Sequence, residues 1–134
     1  MKKVIKLLIL AFFFLLPFNV FGLEEEKVKL YLFYGDGCPH CADLHKFFDE
    51  IESLYGDYYN LHEYEVWYSE KNATTLFEFS KKMGMEVEGI PALFIGEKVF
   101  VGFGEEYKSQ IVDAILTQYK NSYDPYFTDS NDKK

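Results

Sequence analysis

The 134-residue sequence contains no arginine, so all 14 of its basic residues are lysine, and 22 aspartate and glutamate residues outnumber them. The resulting net charge of −8 argues against non-specific binding to nucleic acid, whose phosphate backbone is also negative. The chain shows no internal repeat, and it is long enough for one ordinary domain but too short for two. An apolar content of 49%, including 19% aromatic residues, is ample for a packed core.

Cysteine is scarce as well, since only Cys38 and Cys41 are present. A disulfide between them closes a very small loop and constrains the unfolded chain weakly, so a purely structural bridge explains the pair poorly. Zinc sites use the same spacing, and His40 and His45 would add two nitrogen ligands to the two sulfurs. Side chains that are neighbours on one helix cannot easily surround a tetrahedral ion. The sequence therefore favours redox chemistry and predicts no metal ligand.

The context of the cysteines predicts a redox site at the start of a helix. An apolar run, Leu30–Tyr34, precedes a glycine-containing turn, and apolar residues then recur at helical spacing from Cys38 to Tyr55. At the N-terminus of that helix, unpaired N–H groups and the macrodipole favour a Cys38 thiolate. Pro39 suits the first helical position because its missing N–H would have no partner there. Cys38 is therefore the predicted nucleophile.

Two further residues of the motif receive roles from their positions. His40 adds a donor or positive charge beside the Cys38 sulfur and is expected to lower the pKa of that thiol. Cys41 lies one turn further into the helix, where it can attack a mixed disulfide formed on Cys38, so it is the predicted resolving cysteine. His45 and His62 are expected on solvated faces and receive no role.

The remaining pattern predicts an α/β domain with the order β-α-β-α-β-β-α. Apolar residues on both faces of the first strand predict a central position in the sheet. Leu54, Trp67 and Phe77 are among the residues expected to be buried. The predicted elements are strands at 27–34, 60–68, after Pro91 and at 99–101, and helices at 38–55, 72–83 and about 105–119.

Cys38-Pro39-His40-Cys41 resembles the active site of thioredoxin-fold oxidoreductases, and its Pro-His dipeptide is similar to that of Dsb-type periplasmic disulfide oxidases. The chain length and the downstream residues look more like a compact glutaredoxin or thioredoxin domain. The resemblance covers about residues 27–119. It implies the minimal thioredoxin fold, with a four-stranded mixed sheet flanked by helices, and exchange of disulfides with protein substrates without a dissociable cofactor.

A second motif, Gly89-Ile90-Pro91, stands where thioredoxin-like proteins have a cis-proline loop beside the dithiol. The resemblance implies that Ile90 and Pro91 bind substrate, with the Ile90 backbone presented to an extended peptide. Leu32 departs from the family pattern, because many members carry a buried acid there that helps to deprotonate the second cysteine. The segment from Tyr68 to Val87 also leaves no room for the large helical insertion of Dsb-type oxidases.

The first residues predict export. Lys2, Lys3 and Lys6 precede an apolar run that ends at Pro17, so residues 1–22 are interpreted as a signal peptide or, alternatively, as a membrane anchor. Either interpretation places the thioredoxin-like domain, residues 23–120, outside the cytoplasm, in the periplasm or as a secreted or tethered protein. Residues 121–134 are polar and are expected to form a mobile tail.

These observations predict an exported thiol–disulfide oxidoreductase of oxidase or isomerase type that works with protein thiols and disulfides and with a membrane or soluble recycling partner. One alternative is an extracytoplasmic thiol reductant, for example in cytochrome maturation. Another is a metal-binding module that uses Cys38, His40 and Cys41.

Overall fold

The computed structural model describes residues 26–121. The predicted signal peptide or anchor at 1–22 and the polar tail from residue 122 onward lie outside the described residues. Seven elements follow in the predicted order β-α-β-α-β-β-α. They are β1 (Val28–Tyr34), α1 (Pro39–Tyr55), β2 (Tyr59–Glu65), α2 (Glu70–Lys82), β3 (Ala92–Ile95), β4 (Lys98–Val101) and α3 (Glu105–Asn121). The α/β class and the minimal thioredoxin fold are thus confirmed.

The four strands form one mixed sheet in the order β2-β1-β3-β4. β1 and β2 are parallel, whereas β3 runs antiparallel to both β1 and β4. β1 is central, as its apolar character on both faces predicts, and Leu30, Leu32 and Phe33 on it are fully buried. A parallel β1–β2 pair requires a crossover, and α1 supplies it, so the C-terminal end of β1 leads directly into the cysteine motif.

Side chains on the two faces of the sheet form two separate cores. The first core lies on the face covered by α1 and α3 and is rich in aliphatic residues. It consists of Val28, Leu30, Leu32, Leu44, Phe47, Phe48, Ile51, Tyr59, Leu93, Ile95, Phe100, Ile111, Ala114 and Ile115. The second core lies on the opposite face under α2 and consists of Tyr31, Phe33, Phe79, Ala92 and Phe94. Burial of these side chains is the main stabilising contribution to the fold.

Three residues predicted to be buried are instead exposed. Leu54 is exposed because Tyr55, four residues after Ile51, continues the core-facing stripe of α1 and Leu54 lies beside it. Phe77 is exposed because it lies two residues from buried Phe79, and two residues are more than half a helical turn. Trp67 is exposed because β2 ends at residue 65 instead of continuing to residue 68.

The segment before β3 contains Ile90 and Pro91 of the second sequence motif. Pro91 is buried and comes directly before β3. At the start of a strand its lack of an N–H costs no hydrogen bond of the sheet. The Ile90–Pro91 peptide bond is cis. The Pro91 carbonyl accepts a hydrogen bond from the N–H of Gly102 at 2.8 Å, which ties the segment to the end of β4. Within residues 26–121, no helix combines the length and apolar character that a bilayer span requires.

Candidate active site

The two cysteines form a disulfide at the N-terminus of α1, with their Cα atoms 5.3 Å apart. Cys38 is the N-cap residue, and its Sγ accepts a hydrogen bond from the Cys41 N–H at 3.2 Å. Pro39 occupies the start of the helix, where its missing N–H leaves no donor unsatisfied. The Cys38 N–H donates to the Gly35 carbonyl at 3.1 Å and closes the turn between β1 and α1. The turn therefore holds the Cys38 sulfur against the N–H end of the helix.

The two sulfur-bearing residues differ in exposure. Cys38 is 7% exposed and Cys41 only 1% exposed, so an approaching sulfur atom meets Cys38 first. This order fits the roles of attacking and resolving cysteine, which stay predictions. Because α1 begins immediately after Cys38, the Cys41 N–H that donates to Sγ and the positive end of the helix dipole both stabilise negative charge on that sulfur.

Gly35 brings the second sequence motif next to the first. A Cβ atom at Gly35 would overlap the ring of Trp67 and would lie 2.7 Å from Ile90 Cδ1. The absence of a side chain thus lets both residues pack against the loop that carries Cys38. Trp67 keeps about half of its surface exposed in this position, and Ile90 is partly exposed. An apolar surface therefore continues from the cysteine loop to the residue that precedes Pro91.

Glu65 organises the loops on this side of the site, and the sequence patterns did not identify it. Its carboxylate accepts hydrogen bonds from the N–H groups of Trp67 at 2.8 Å, Tyr68 at 2.9 Å and Asp36 at 3.4 Å. Partial desolvation opposes ionisation, but the backbone donors of Tyr68, Trp67, Asp36 and Ser69 outweigh it and lower the pKa of the Glu65 carboxyl. The ionised carboxylate thereby links the cysteine loop to the turn that holds Trp67.

A cavity of about 250 Å³ lies beside the disulfide. Its lining residues are Tyr34, Gly35, Asp36, Gly37, Cys38, Pro39, Cys41, Ala42 and His45. Tyr34 meets the His45 ring edge to face, with the ring centres 5.2 Å apart. Desolvation and the nearby carboxylates of Asp36, Glu63 and Glu65 raise the pKa of Tyr34, so its hydroxyl stays neutral at physiological pH.

His45 is placed differently from the prediction. It is only about one-third exposed, and its Nε2 lies 2.6 Å from Glu63 Oε1. The Nε2 atom itself is shielded from solvent and is not aligned for a regular hydrogen bond, so the contact is an ion pair when the imidazole is protonated. His62, in contrast, is exposed as predicted and stacks on Tyr31 with ring centres 5.5 Å apart. The spacing of Cys41 and His45, four residues apart on one helix, is the sequence signal that places both on one face.

The structure does not bring His40 into the cavity beside the disulfide. Its side chain is exposed and lines a separate depression of about 350 Å³ together with Asp43 and Lys108. Its effect on the Cys38 thiol stays a prediction. Among residues 26–121, no three His, Cys, Asp or Glu side chains are grouped so that they could hold a metal ion.

Comparisons with known proteins support the fold. No family model matches the sequence, and no curated protein matches it significantly. The structure is similar to the crystal structure of a protein from Chlorobium tepidum described as thiol:disulfide interchange protein DsbE. The TM-score is 0.52 with 14% sequence identity, over 72% of this chain and 82% of that one. The chain therefore has a thioredoxin-like fold with a Cys-x-x-Cys disulfide at the start of its first helix.

Proposed function

We propose that the protein is a thiol–disulfide oxidoreductase that acts on protein substrates outside the cytoplasm. The observation that carries the proposal is the Cys38–Cys41 disulfide, in which the more exposed sulfur caps α1 and the buried one lies inside the first turn. The printed description of the structurally similar protein as a thiol:disulfide interchange protein supports the same class of reaction.

The proposed reaction is a two-step exchange at Cys38. In the oxidising direction, a substrate thiolate attacks Cys38 Sγ, the bond to Cys41 breaks, and a mixed disulfide forms while Cys41 leaves as a thiolate. A second substrate thiolate then displaces Cys38 from the substrate sulfur, so the substrate is oxidised to a disulfide and the two cysteines are reduced to thiols. The recycling partner takes up the two electrons.

The substrate would bind at the apolar surface of Ile90 and Trp67 beside the cysteine loop. Ile90 and Pro91 lie between that loop and β3, and a peptide placed along this segment would present a sulfur to Cys38. The residues that precede the described part of the chain supply the predicted export signal or membrane anchor.

Trapping of reaction intermediates tests the proposal. Cys41→Ser should accumulate mixed disulfides with a disulfide-containing protein substrate, because the Cys38 thiolate can still attack the substrate disulfide but no second cysteine resolves the product. Cys38→Ser should accumulate none. Equal exchange activity in both variants and the wild type would contradict the dithiol mechanism.

The direction of electron flow depends on how strongly the site stabilises the Cys38 thiolate. The start of α1 and a protonated His40 stabilise it and make the disulfide a better oxidant, which is the direction we propose. Asp36, Glu63 and Glu65 place negative charge around the same cavity and favour a reductant as the second candidate. The reduction potential decides between them, since about 30 mV corresponds to a tenfold change in the equilibrium constant. If the protein is an oxidant, its reduction potential should lie above that of thioredoxin. The reduction potential of His40→Ala should then be lower than that of the wild type.

A further inference from the structure

The buried second cysteine needs a proton acceptor that the core of the sheet does not supply. A thiolate, not a thiol, attacks a disulfide, and burial disfavours ionisation of a thiol. Cys41 is 1% exposed, and Leu32, which is fully buried in β1 beneath α1, is aliphatic. Directly opposite Leu32 on the neighbouring strand is Glu63. A carboxylate at the level of Leu32 is thus supplied by β2.

His45 connects that carboxylate with Cys41. It lies one helical turn after Cys41 on α1, and helical side chains lean towards the preceding turn, which directs the imidazole to the cysteine. Cys41 and His45 both line the cavity beside the disulfide, so both residues border the same open space. Glu63 Oε1 lies 2.6 Å from Nε2, which leaves Nδ1 as the nitrogen free to accept a proton.

We propose that His45 accepts the Cys41 proton during resolution of the mixed disulfide and that Glu63 positions its ring for this task. The inference rests on the proposed thiol–disulfide exchange and specifies how its buried cysteine is activated. The Glu63 carboxylate lies 2.6 Å from Nε2, and its negative charge stabilises the imidazolium that forms.

The step balances in both directions. In resolution, the Cys41 S–H proton moves to His45, Cys41 Sγ bonds to Cys38 Sγ, and the bond between Cys38 and the substrate sulfur breaks. The substrate leaves as a thiolate, and the imidazolium returns its proton to solvent. In the reverse reaction a substrate thiolate attacks Cys38, and the departing Cys41 thiolate takes the proton from His45. The assignment is therefore independent of the direction of electron flow.

The other charged and titratable groups around the His45 imidazole cannot take its place as the proton acceptor. Tyr34 on β1 packs edge to face with His45, and its raised pKa keeps the phenol protonated, so it cannot accept a proton. Asp36 and Glu65 lie near the same cavity, but Glu65 is committed to backbone N–H groups of the loops. Asp36 is exposed and lines the cavity from the turn before the helix, the loop that carries Cys38.

The two sulfur steps can be followed separately with 5,5′-dithiobis(2-nitrobenzoate) in a stopped-flow experiment. Attack by Cys38 releases the first coloured thiolate, and attack by Cys41 on the resulting mixed disulfide releases the second. In His45→Gln at neutral pH, we expect the second release to slow by about 10²-fold or more, the range of general-base contributions, while the first changes less than twofold. The deficit should shrink as the pH rises, because a growing fraction of the Cys41 thiol then ionises without a protein base.

Matched variants separate a chemical role from a structural one. His62→Gln, which removes the exposed histidine on the opposite face of the sheet, should leave both releases unchanged. Glu63→Gln should slow the second release by about tenfold, and Glu63→Asp should recover part of that rate because it restores a carboxylate.

Each outcome decides the proposal. A second release in His45→Gln that equals the wild-type rate from pH 5 to 8 overturns it, and the proposed function then still stands because both releases occur. Loss of both releases in His45→Gln and in His45→Asn also overturns it, since His45 would then be a structural residue. The proposed function fails separately if Cys38→Ser exchanges disulfides with a protein substrate as fast as the wild type.

Discussion

The two faces of the sheet differ in the size and the composition of the cores that they carry. The face under α1 and α3 has fourteen buried core residues among those described, whereas the face under α2 alone has five. On the thinner face, three phenylalanines meet edge to face at 5.2–5.6 Å between ring centres, so a few rings provide most of the packing. The thicker face also holds a polar corner, in which Tyr34, His45 and Glu63 lie beside the disulfide. The cysteine site therefore lies on the face with the larger core.

The largest effect should come from the thin face. Phe94 is fully buried among other aromatic rings, and Phe94→Ala is expected to lower the free energy of unfolding by about 3–5 kcal/mol, since little else can fill the space. Ile95→Val, on the adjacent residue and the opposite face, should cost only about 0.5–1.5 kcal/mol. Urea unfolding of both variants measures the difference. A loss below about 1.5 kcal/mol for Phe94→Ala would show that the two faces do not differ as described.

The contact between Gly35, Trp67 and Ile90 joins the cysteine loop to the substrate-facing surface. Gly35→Ala should cost about 1–3 kcal/mol of stability, because the new methyl group overlaps the Trp67 ring. It should also slow exchange with a protein substrate more than reaction with a small disulfide. Gly89→Ala is the control, since its Cβ would meet only Val101 Cγ1 at 3.3 Å. Equal behaviour of the two variants would remove the argument for close packing at Gly35.

Glu65 makes the loops around the site sensitive to acid. Its folded-state pKa is lowered, so its contribution to stability is present above the ordinary carboxyl pKa of 4.5 and is lost as the pH falls through the folded-state value. Glu65→Gln should therefore reduce stability near neutral pH and flatten the decline in the unfolding midpoint below pH 4.5. Urea midpoints from pH 3 to 7 test this. An unchanged acid profile in the variant would assign the decline to other carboxylates.

The smallest effects are expected at the exposed apolar residues. Leu54 and Phe77 are 72% and 68% exposed, so Leu54→Gln and Phe77→Gln should each change the free energy of unfolding by less than about 0.5 kcal/mol. Thermal unfolding of the two variants gives the comparison with Phe94→Ala. A loss above 1 kcal/mol at either position would mean that the residue packs in solution against something that the described structure does not include.

Several features could be predicted because they depend on contacts between near neighbours in the chain. Pro39 at the start of α1 and Cys38 directly before it follow from local backbone preferences. The central position of β1 follows from its apolar residues on both faces. The burial of Trp67 was predicted wrongly because a strand pattern does not show where strand pairing stops. Here the N–H groups of Trp67 and Tyr68 donate to the Glu65 carboxylate instead of to a neighbouring strand.

The sequence by itself determined the α/β order, the cysteine pair at a helix N-terminus and the acidic charge, since each depends on residue type and on spacing within one segment. Only the tertiary structure decided that Glu63 of β2 meets His45 of α1 and that Ile90 packs against Gly35. Those contacts join segments that are far apart in the chain, and their geometry depends on strand register and on the way α1 lies across the sheet. A one-residue shift of register would turn Glu63 to the opposite face, because side chains alternate along a strand.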